Sequence, residues 1–172
     1  MNLVVIDMQS GFNQNGEHEE IIPRVVSRIE QANQAGIGVL LMELRTSQYG
    51  VTHESIVCAA EKNEEFRRVE KYTNSGAEEI TEVLGLDSPV LITGCNICAC
   101  VKETVQELLY DYQVPCNVLV DACVCATVAC VGKRHGPPCV DLPHQWADGS
   151  DLCRAFEMET RIEEIIQEVR CS

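Results

Sequence analysis

The sequence predicts an α/β protein with a three-layer α/β/α fold and a mainly parallel central sheet. Short, apolar, β-rich runs at 3–6, 38–43, 89–93 and 116–121 alternate with segments of helical periodicity. The segments between these runs are long enough for the crossover connections that parallel strands need. Right-handed crossovers place helices on both faces of such a sheet, which produces the three layers.

The first half of the chain begins with the buried strand at 3–6. A loop leads from it to a helix over about 19–35, whose apolar residues recur at helical spacing. Pro23 fits only in the first turn of that helix, and Gly36 ends it. The next three predicted elements are a strand, a loop and a short helix, at 38–43, 45–54 and 54–63.

The second half continues with a brief extended segment at 68–71 and a helix over 76–84, which Gly85 closes. The remaining clear elements are a strand, a helix and a strand, at 89–93, 100–112 and 116–121.

From about residue 126 the pattern weakens. Glycine and proline are frequent over 128–150, which is predicted to be loop-rich, and helical spacing returns over 155–169. We expect this last helix to pack on the sheet or on a neighbouring subunit. The 172 residues, 45% of them hydrophobic, are predicted to form one domain, 1–172, with a divergent C-terminal segment.

The composition indicates a soluble, acidic protein. No apolar run reaches the roughly 20 residues that a membrane-spanning helix needs. The chain starts directly with a strand-like run and has no basic region before it, so we expect no signal peptide and a cytoplasmic location. The formal net charge of -14 argues against nucleic-acid and anionic-membrane partners, because phosphate binding needs a basic face.

Eleven cysteines are an unusual number for a chain of this length. They include the C-x-C pairs Cys98–Cys100 and Cys123–Cys125 and a single C-x2-C pair, Cys95–Cys98, without the second such pair of a zinc ribbon. Because we expect a reducing compartment, most of these thiols are interpreted as small buried hydrophobic groups. A redox pair of Cys98 and Cys100 is the weakest interpretation, since a disulfide across C-x-C is strained.

One cysteine occupies a place suited to chemistry. The apolar strand at 89–93 ends at Gly94, and Cys100 opens the amphipathic helix that follows. The free N–H groups and dipole of a helix start favour the thiolate, which is the nucleophilic form. Asp7 and Lys71 follow extended segments, and the carboxyl ends of parallel strands line one crevice, so an acid, a lysine and a thiol can converge there.

Each of these residues also has an ordinary structural interpretation. Asp7 can bind loop amides at a strand end, Lys71 can be solvated, and Cys100 can be a buried helix thiol. Cys98 is the rival nucleophile, although it lies before the predicted helix start.

Four short motifs occur in order over residues 1 to about 125. They are Val4-Val5-Ile6-Asp7-Met8-Gln9 followed by Phe12, Val69-Glu70-Lys71 followed by Ser75-Gly76, Thr93-Gly94 followed by Cys100-Val101-x-x-Thr104, and Val118-Leu119-Val120-Asp121-Ala122. Together they resemble the isochorismatase-like cysteine hydrolases, a superfamily with a Rossmann-like fold that includes nicotinamidases and N-carbamoylsarcosine amidases. The remaining quarter of the chain lies outside this resemblance.

The resemblance implies a role for each matched residue. Cys100 is the nucleophile that attacks an amide-like carbonyl, Asp7 takes the thiol proton and returns it to the leaving amine, and Lys71 orients Asp7. The family pattern places a cis peptide at Cys95-Asn96. The backbone N–H groups of Asn96 and Cys100 then form the oxyanion hole. Water hydrolyses the resulting thioester, and no organic cofactor is implied.

The chain departs from nicotinamidases in the segment that binds their metal through an Asp-x-His run. The corresponding residues, 42–49, hold no histidine, and His53 is alone nearby, so no metal is predicted. A zinc site among the irregularly spaced cysteines around His135 and His144 is equally disfavoured. Isochorismatases proper lack the nucleophilic cysteine, so Cys100 indicates amide or ureide hydrolysis.

Substrate contacts are predicted less directly. Ala77 stands where the family has an aromatic residue, which would widen the pocket or shift its wall. Phe12, Arg45, Tyr49 and Trp146 are candidates for contacting a small-molecule substrate. Arg45 suits a carboxylate, although an exposed, salt-bridged arginine is the plainer interpretation.

The sequence thus predicts a cysteine amidohydrolase that cleaves a C–N bond through a thioester. Because family members commonly form dimers or tetramers, a homo-oligomer is expected. The alternative is a catalytically inactive member that acts as a binding or assembly module.

Overall fold

The structure is a computed structural model that describes residues 1–13, 16 and 18–124. The described part contains a five-stranded sheet in the order β3-β2-β1-β4-β5, and all four strand pairings are parallel. The strands are β1 Asn2–Ile6, β2 Gly38–Leu44, β3 Arg67–Lys71, β4 Val90–Cys95 and β5 Cys116–Val124. The helices are α1 Ile22–Gln34, α2 Thr46–Tyr49, α3 Glu54–Ala60, α4 Ala77–Leu84 and α5 Lys102–Tyr110. A 3-10 turn covers Ser10–Phe12 and a π-helical turn covers Ile97–Val101.

Alternate residues of the central strands build two apolar clusters. Val4 and Ile6 of β1 face the cluster that contains residues of α4 and α5. Leu3 and Val5 face the cluster that contains residues of α1 and α3. Since both faces are covered, the inner strands are apolar at nearly every position, as buried parallel strands are. The predicted three-layer α/β/α fold with a parallel sheet is therefore confirmed.

Some element boundaries differ from the prediction, one through a local turn and one through a contact distant in sequence. The predicted helix over 19–35 begins at Ile22, where the carbonyl of His18 accepts bonds from the backbone N–H groups of Ile21 and Ile22. The predicted loop at 45–54 contains α2. The carboxylate of Glu70 on β3 accepts bonds from the backbone N–H (2.6 Å) and hydroxyl (2.8 Å) of Thr46, at the start of α2.

The fourth motif lies in β5, the outermost strand on that side of the described sheet, whose register with β4 shifts between Ile92 and Gly94. Within it, Asp121 is half-exposed and forms an ion pair of 3.0 Å with Arg28 of α1. The carbonyl of Asp121 also accepts a bond of 3.0 Å from Arg24. Asp121 therefore ties β5 to α1, and β4 separates it from β1.

Gly94 allows β4 to approach β1 closely at the point where both strands end. Its φ is 123°, and a Cβ there would lie 2.0 Å from the carbonyl oxygen of Ile6. We expect Gly94→Ala to lower the free energy of unfolding by roughly 2–3 kcal/mol, measured by urea denaturation. Gly85→Ala is the matched control, since Gly85 has a φ of 80° with no atom within 4 Å of the added carbon. Equal losses in both variants would contradict the close-approach argument.

None of the helices in the described ranges is long and apolar enough to cross a membrane. The loop-rich segment 128–150, the helix over 155–169, and the residues His135, His144 and Trp146 lie outside the residues that the structure describes.

Candidate active site

Asp7 lies directly after β1, at the carboxyl edge of the sheet. Its φ of 51° is in the left-handed region, which aspartate tolerates better than most residues. Its backbone N–H donates to the carbonyl of Met42 on β2 at 2.9 Å. The side chain is fully buried, so its carboxyl group is removed from bulk water.

Lys71 is the last residue of β3 and is also fully buried. Because β2 separates β3 from β1, only a long side chain at this position reaches Asp7. The ammonium Nζ lies 2.9 Å from Oδ2 of Asp7. It also donates to the carbonyl oxygens of Thr73 at 3.1 Å and Asn74 at 2.7 Å. Its three N–H donors therefore have three acceptors, as a buried ammonium requires.

The carboxylate of Asp7 is held mainly by this ion pair. Among the described residues, neither of its oxygens has another well-formed hydrogen bond. Burial raises the pKa of Asp7, and the charge of Lys71 offsets part of that rise. A carboxyl group with a raised pKa is nearer to neutrality at physiological pH, where it can both accept and return a proton.

Cys100 faces this pair and is buried. Burial and the nearby charge of Asp7 raise the pKa of the Cys100 thiol to about 12, against the opposing effect of Lys71. Burial and Asp7 thus oppose the thiolate that a helix start favours. Cys100 is the fourth residue of the π-helical turn Ile97–Val101, so the helical backbone begins before Cys100, whereas the sequence predicted that it begins at Cys100.

The turn before Cys100 has the backbone geometry that the resemblance implied. The peptide bond Cys95-Asn96 is cis. The carbonyl of Asn96 accepts bonds from the N–H groups of Ala99 at 3.0 Å and Val101 at 3.1 Å. The N–H of Asn96 donates towards the sulfur of Cys100. One of the two predicted oxyanion donors thus lies next to the sulfur of Cys100, while the oxyanion role of Asn96 and Cys100 stays a prediction.

Two of the four predicted substrate contacts lie together. The rings of Phe12 and Tyr49 stack, with centroids 4.6 Å apart and planes 18° apart. Arg45 is exposed, and its Nε donates to the carbonyl of Tyr72 at 2.9 Å, along the β3 edge of the sheet. Ala77 is fully buried in the apolar cluster under α4. The substrate role of all of these residues stays a prediction.

Gln9 and Thr104 are buried residues of the motifs to which the sequence assigned no role. Oε1 of Gln9 accepts from the N–H of Leu44 at 2.7 Å, and Nε2 donates to the carbonyls of Leu44 at 3.1 Å and Gly50 at 2.5 Å. Gln9 thereby fixes both ends of the segment that presents Tyr49. The signal in the sequence was the position of Gln9 two residues after Asp7.

The sequence suggested that His53 stands alone, but the structure places a second histidine beside it. Its Nε2 lies 3.1 Å from Nδ1 of His18, which is fully buried. Burial lowers the pKa of His53. Across residues 1–13, 16 and 18–124, no three His, Cys, Asp or Glu side chains gather closely enough to hold a metal ion.

These features define a class: an α/β protein with a buried acid, a lysine and a thiol at the carboxyl edge of a parallel sheet. The family model described as the Isochorismatase domain matches residues 1–131. The chain belongs to the isochorismatase family, which confirms the resemblance of its motifs.

Solved structures of low sequence identity share the fold. A MAR1 ribonuclease from Caenorhabditis elegans has a TM-score of 0.64 and 22% identity, over 74% of this chain and 66% of that one. A nicotinamidase from Bacillus subtilis has a TM-score of 0.60 and 14% identity, over 74% of this chain and 88% of that one. An isochorismatase from Pseudomonas putida has a TM-score of 0.57 and 17% identity, over 71% and 69%.

The chain thus spans slightly less than two thirds of the C. elegans protein. No curated protein sequence matches it.

Proposed function

We propose that this protein is a cysteine hydrolase that cleaves a C–N bond of a small amide or ureide through a thioester. The observation that supports this most directly is the buried ion pair of Asp7 and Lys71, 2.9 Å apart, facing the thiol of Cys100. Family membership and the nicotinamidase neighbours support a hydrolase role. The three residues form the proposed catalytic triad.

In the first half-reaction, Asp7 accepts the proton of the Cys100 thiol as the sulfur attacks the substrate carbonyl carbon. The C–S bond forms, and the carbonyl electron pair moves to oxygen. The N–H groups of Asn96 and Cys100 hold this oxyanion, and one such donor is typically worth roughly 3 kcal/mol of barrier. Collapse of the intermediate breaks the C–N bond, and Asp7 gives its proton to the leaving amine.

In the second half-reaction, water hydrolyses the thioester. Asp7 again accepts a proton, now from the attacking water, and returns it to the departing sulfur. The products are an acid and the free thiol of Cys100. A carboxyl group whose pKa is raised by burial suits this repeated exchange, and Lys71 keeps the charged form of Asp7 tolerable in a buried site.

The surroundings of the triad suggest a small-molecule substrate. Phe12 and Tyr49 offer a flat aromatic wall for it, and Arg45 is the proposed contact for a carboxylate at the rim. The proposed reaction needs no metal and no organic cofactor. The charge of -14 disfavours nucleic acids and anionic membranes as partners. We also propose that the protein is cytoplasmic and forms a homo-oligomer.

A substrate panel tests this function. Wild-type protein, Cys100→Ala and the matched control Cys98→Ala are assayed for ammonia or amine release from small amides and ureides, nicotinamide included. A short RNA is included as well, because one structural neighbour is a ribonuclease. We expect turnover by the wild type and by Cys98→Ala, and none by Cys100→Ala. Equal turnover by all three would contradict the proposal, and no turnover of any compound would favour the binding module.

A further inference from the structure

The hydroxyl of Thr104 connects the two loops that present the triad. It is fully buried on α5 and donates to the carbonyl of Cys100 at 2.7 Å. The same oxygen accepts from the backbone N–H of Gly76 at 3.0 Å. The Thr104 hydroxyl thus donates to the turn that holds Cys100 and accepts from the segment that follows β3.

Gly76 lies against the side chain of Lys71. A Cβ added at Gly76 would lie 3.1 Å from Cδ of Lys71 and 2.0 Å from the sulfur of Met42. The residues just before Gly76 supply the carbonyl oxygens that hold the Lys71 ammonium. A shift of Gly76 therefore moves the groups that position Lys71.

We propose that Thr104 is a positioning residue, which sets the thiol of Cys100 against the Asp7 and Lys71 pair by joining their loops. This inference rests on the proposed function. Cys100 lies in a π-helical turn. Such turns are rare in proteins overall, and those that occur are often at functional sites. The side-chain bond from Thr104 to the Cys100 carbonyl holds this turn, and the bond from Gly76 sets its distance from Lys71.

Two outer hydrogen bonds join the same loop to α5 without reaching the nucleophile. Asn74 donates to Glu103 at 3.1 Å, and the hydroxyl of Ser75 donates to Glu107. Glu103 is exposed and adjoins Thr104 in the chain. Its replacement removes one exposed contact, while both hydrogen bonds of the Thr104 hydroxyl keep the loop joined to α5, so Glu103→Ala is the matched control.

The test compares Thr104→Val, Thr104→Ala, Thr104→Ser and Glu103→Ala with the wild type. The first readout is the rate of Cys100 alkylation by iodoacetamide from neutral to strongly alkaline pH, followed by mass spectrometry. Loosening the turn moves the sulfur away from Asp7 and admits water. Thr104→Val and Thr104→Ala are therefore expected to lower the apparent pKa of Cys100 from its high value. Ser and Glu103→Ala are expected to keep the wild-type profile.

The second readout is turnover of a substrate found in the panel. Thr104→Val and Thr104→Ala are expected to lower kcat about 10- to 100-fold with little change in KM, the loss typical of a misplaced catalytic group. Thr104→Ser is expected to keep kcat within a few-fold of the wild-type value. Unchanged pH profiles in both Val and Ala would overturn the inference, because a merely structural Thr104 alters stability alone. A shifted profile without turnover by the wild type would uphold the positioning role and refute the hydrolase.

Discussion

Replacing Asp7 by Asn is expected to abolish most turnover while making Cys100 alkylation faster at neutral pH. The negative charge of Asp7 helps to raise the pKa of the Cys100 thiol to about 12, and Lys71 opposes it. In Asp7→Asn the ammonium of Lys71 alone faces the sulfur, so the pKa of Cys100 falls and more thiolate is present. Turnover still falls about 10²- to 10⁴-fold, because no group returns a proton to the leaving amine.

The measurement pairs a stopped alkylation assay, resolved by mass spectrometry, with turnover of the panel substrate. Asp121→Asn is the control, since it removes the same charge from β5, which β4 separates from β1 and where Asp121 is paired with Arg28. That variant is expected to match the wild type in both assays. Slower alkylation in Asp7→Asn would show that the Asp7 carboxylate does not hold the thiol in its neutral form.

Replacing Lys71 by Met is expected to have the largest effect on stability, because it leaves the buried carboxylate of Asp7 without a cation. Breaking a buried ion pair in this way costs about 3–5 kcal/mol. Burial already raises the pKa of Asp7, and without Lys71 the pKa rises further. The native state then holds its proton to higher pH than the unfolded chain, whose aspartate ionises near pH 4.

The sign of the pH dependence follows from this difference. Between the unfolded and folded pKa values the native state binds more protons, so stability falls as pH rises through that interval. The loss in Lys71→Met is therefore small in mild acid and full at alkaline pH. Urea unfolding at several pH values checks this, with the exposed Lys62→Met as control. A loss below about 1 kcal/mol at every pH, the size typical of a surface ion pair, would contradict the prediction.

The positions of the site residues followed from the pattern of buried strands. Apolar runs located β1, β2, β4 and β5, and the polar residue after a parallel strand lies at the carboxyl edge of the sheet. This rule located Asp7 and Lys71, because each position is set by the end of a single strand, β1 for Asp7 and β3 for Lys71. α2 was missed because Glu70, which caps it, is 24 residues away in the chain.

The sequence by itself determined the three-layer fold, the residues that meet at the carboxyl edge and the family motifs that contain them. These depend on local periodicity and on strand ends, which a single segment encodes. Only the tertiary structure revealed the surroundings that raise the pKa of Cys100 and the two hydrogen bonds of the Thr104 hydroxyl. Both depend on groups brought together from separate strands and loops. Burial and the charge of Asp7 raise the pKa of Cys100, against the favourable field of a helix start.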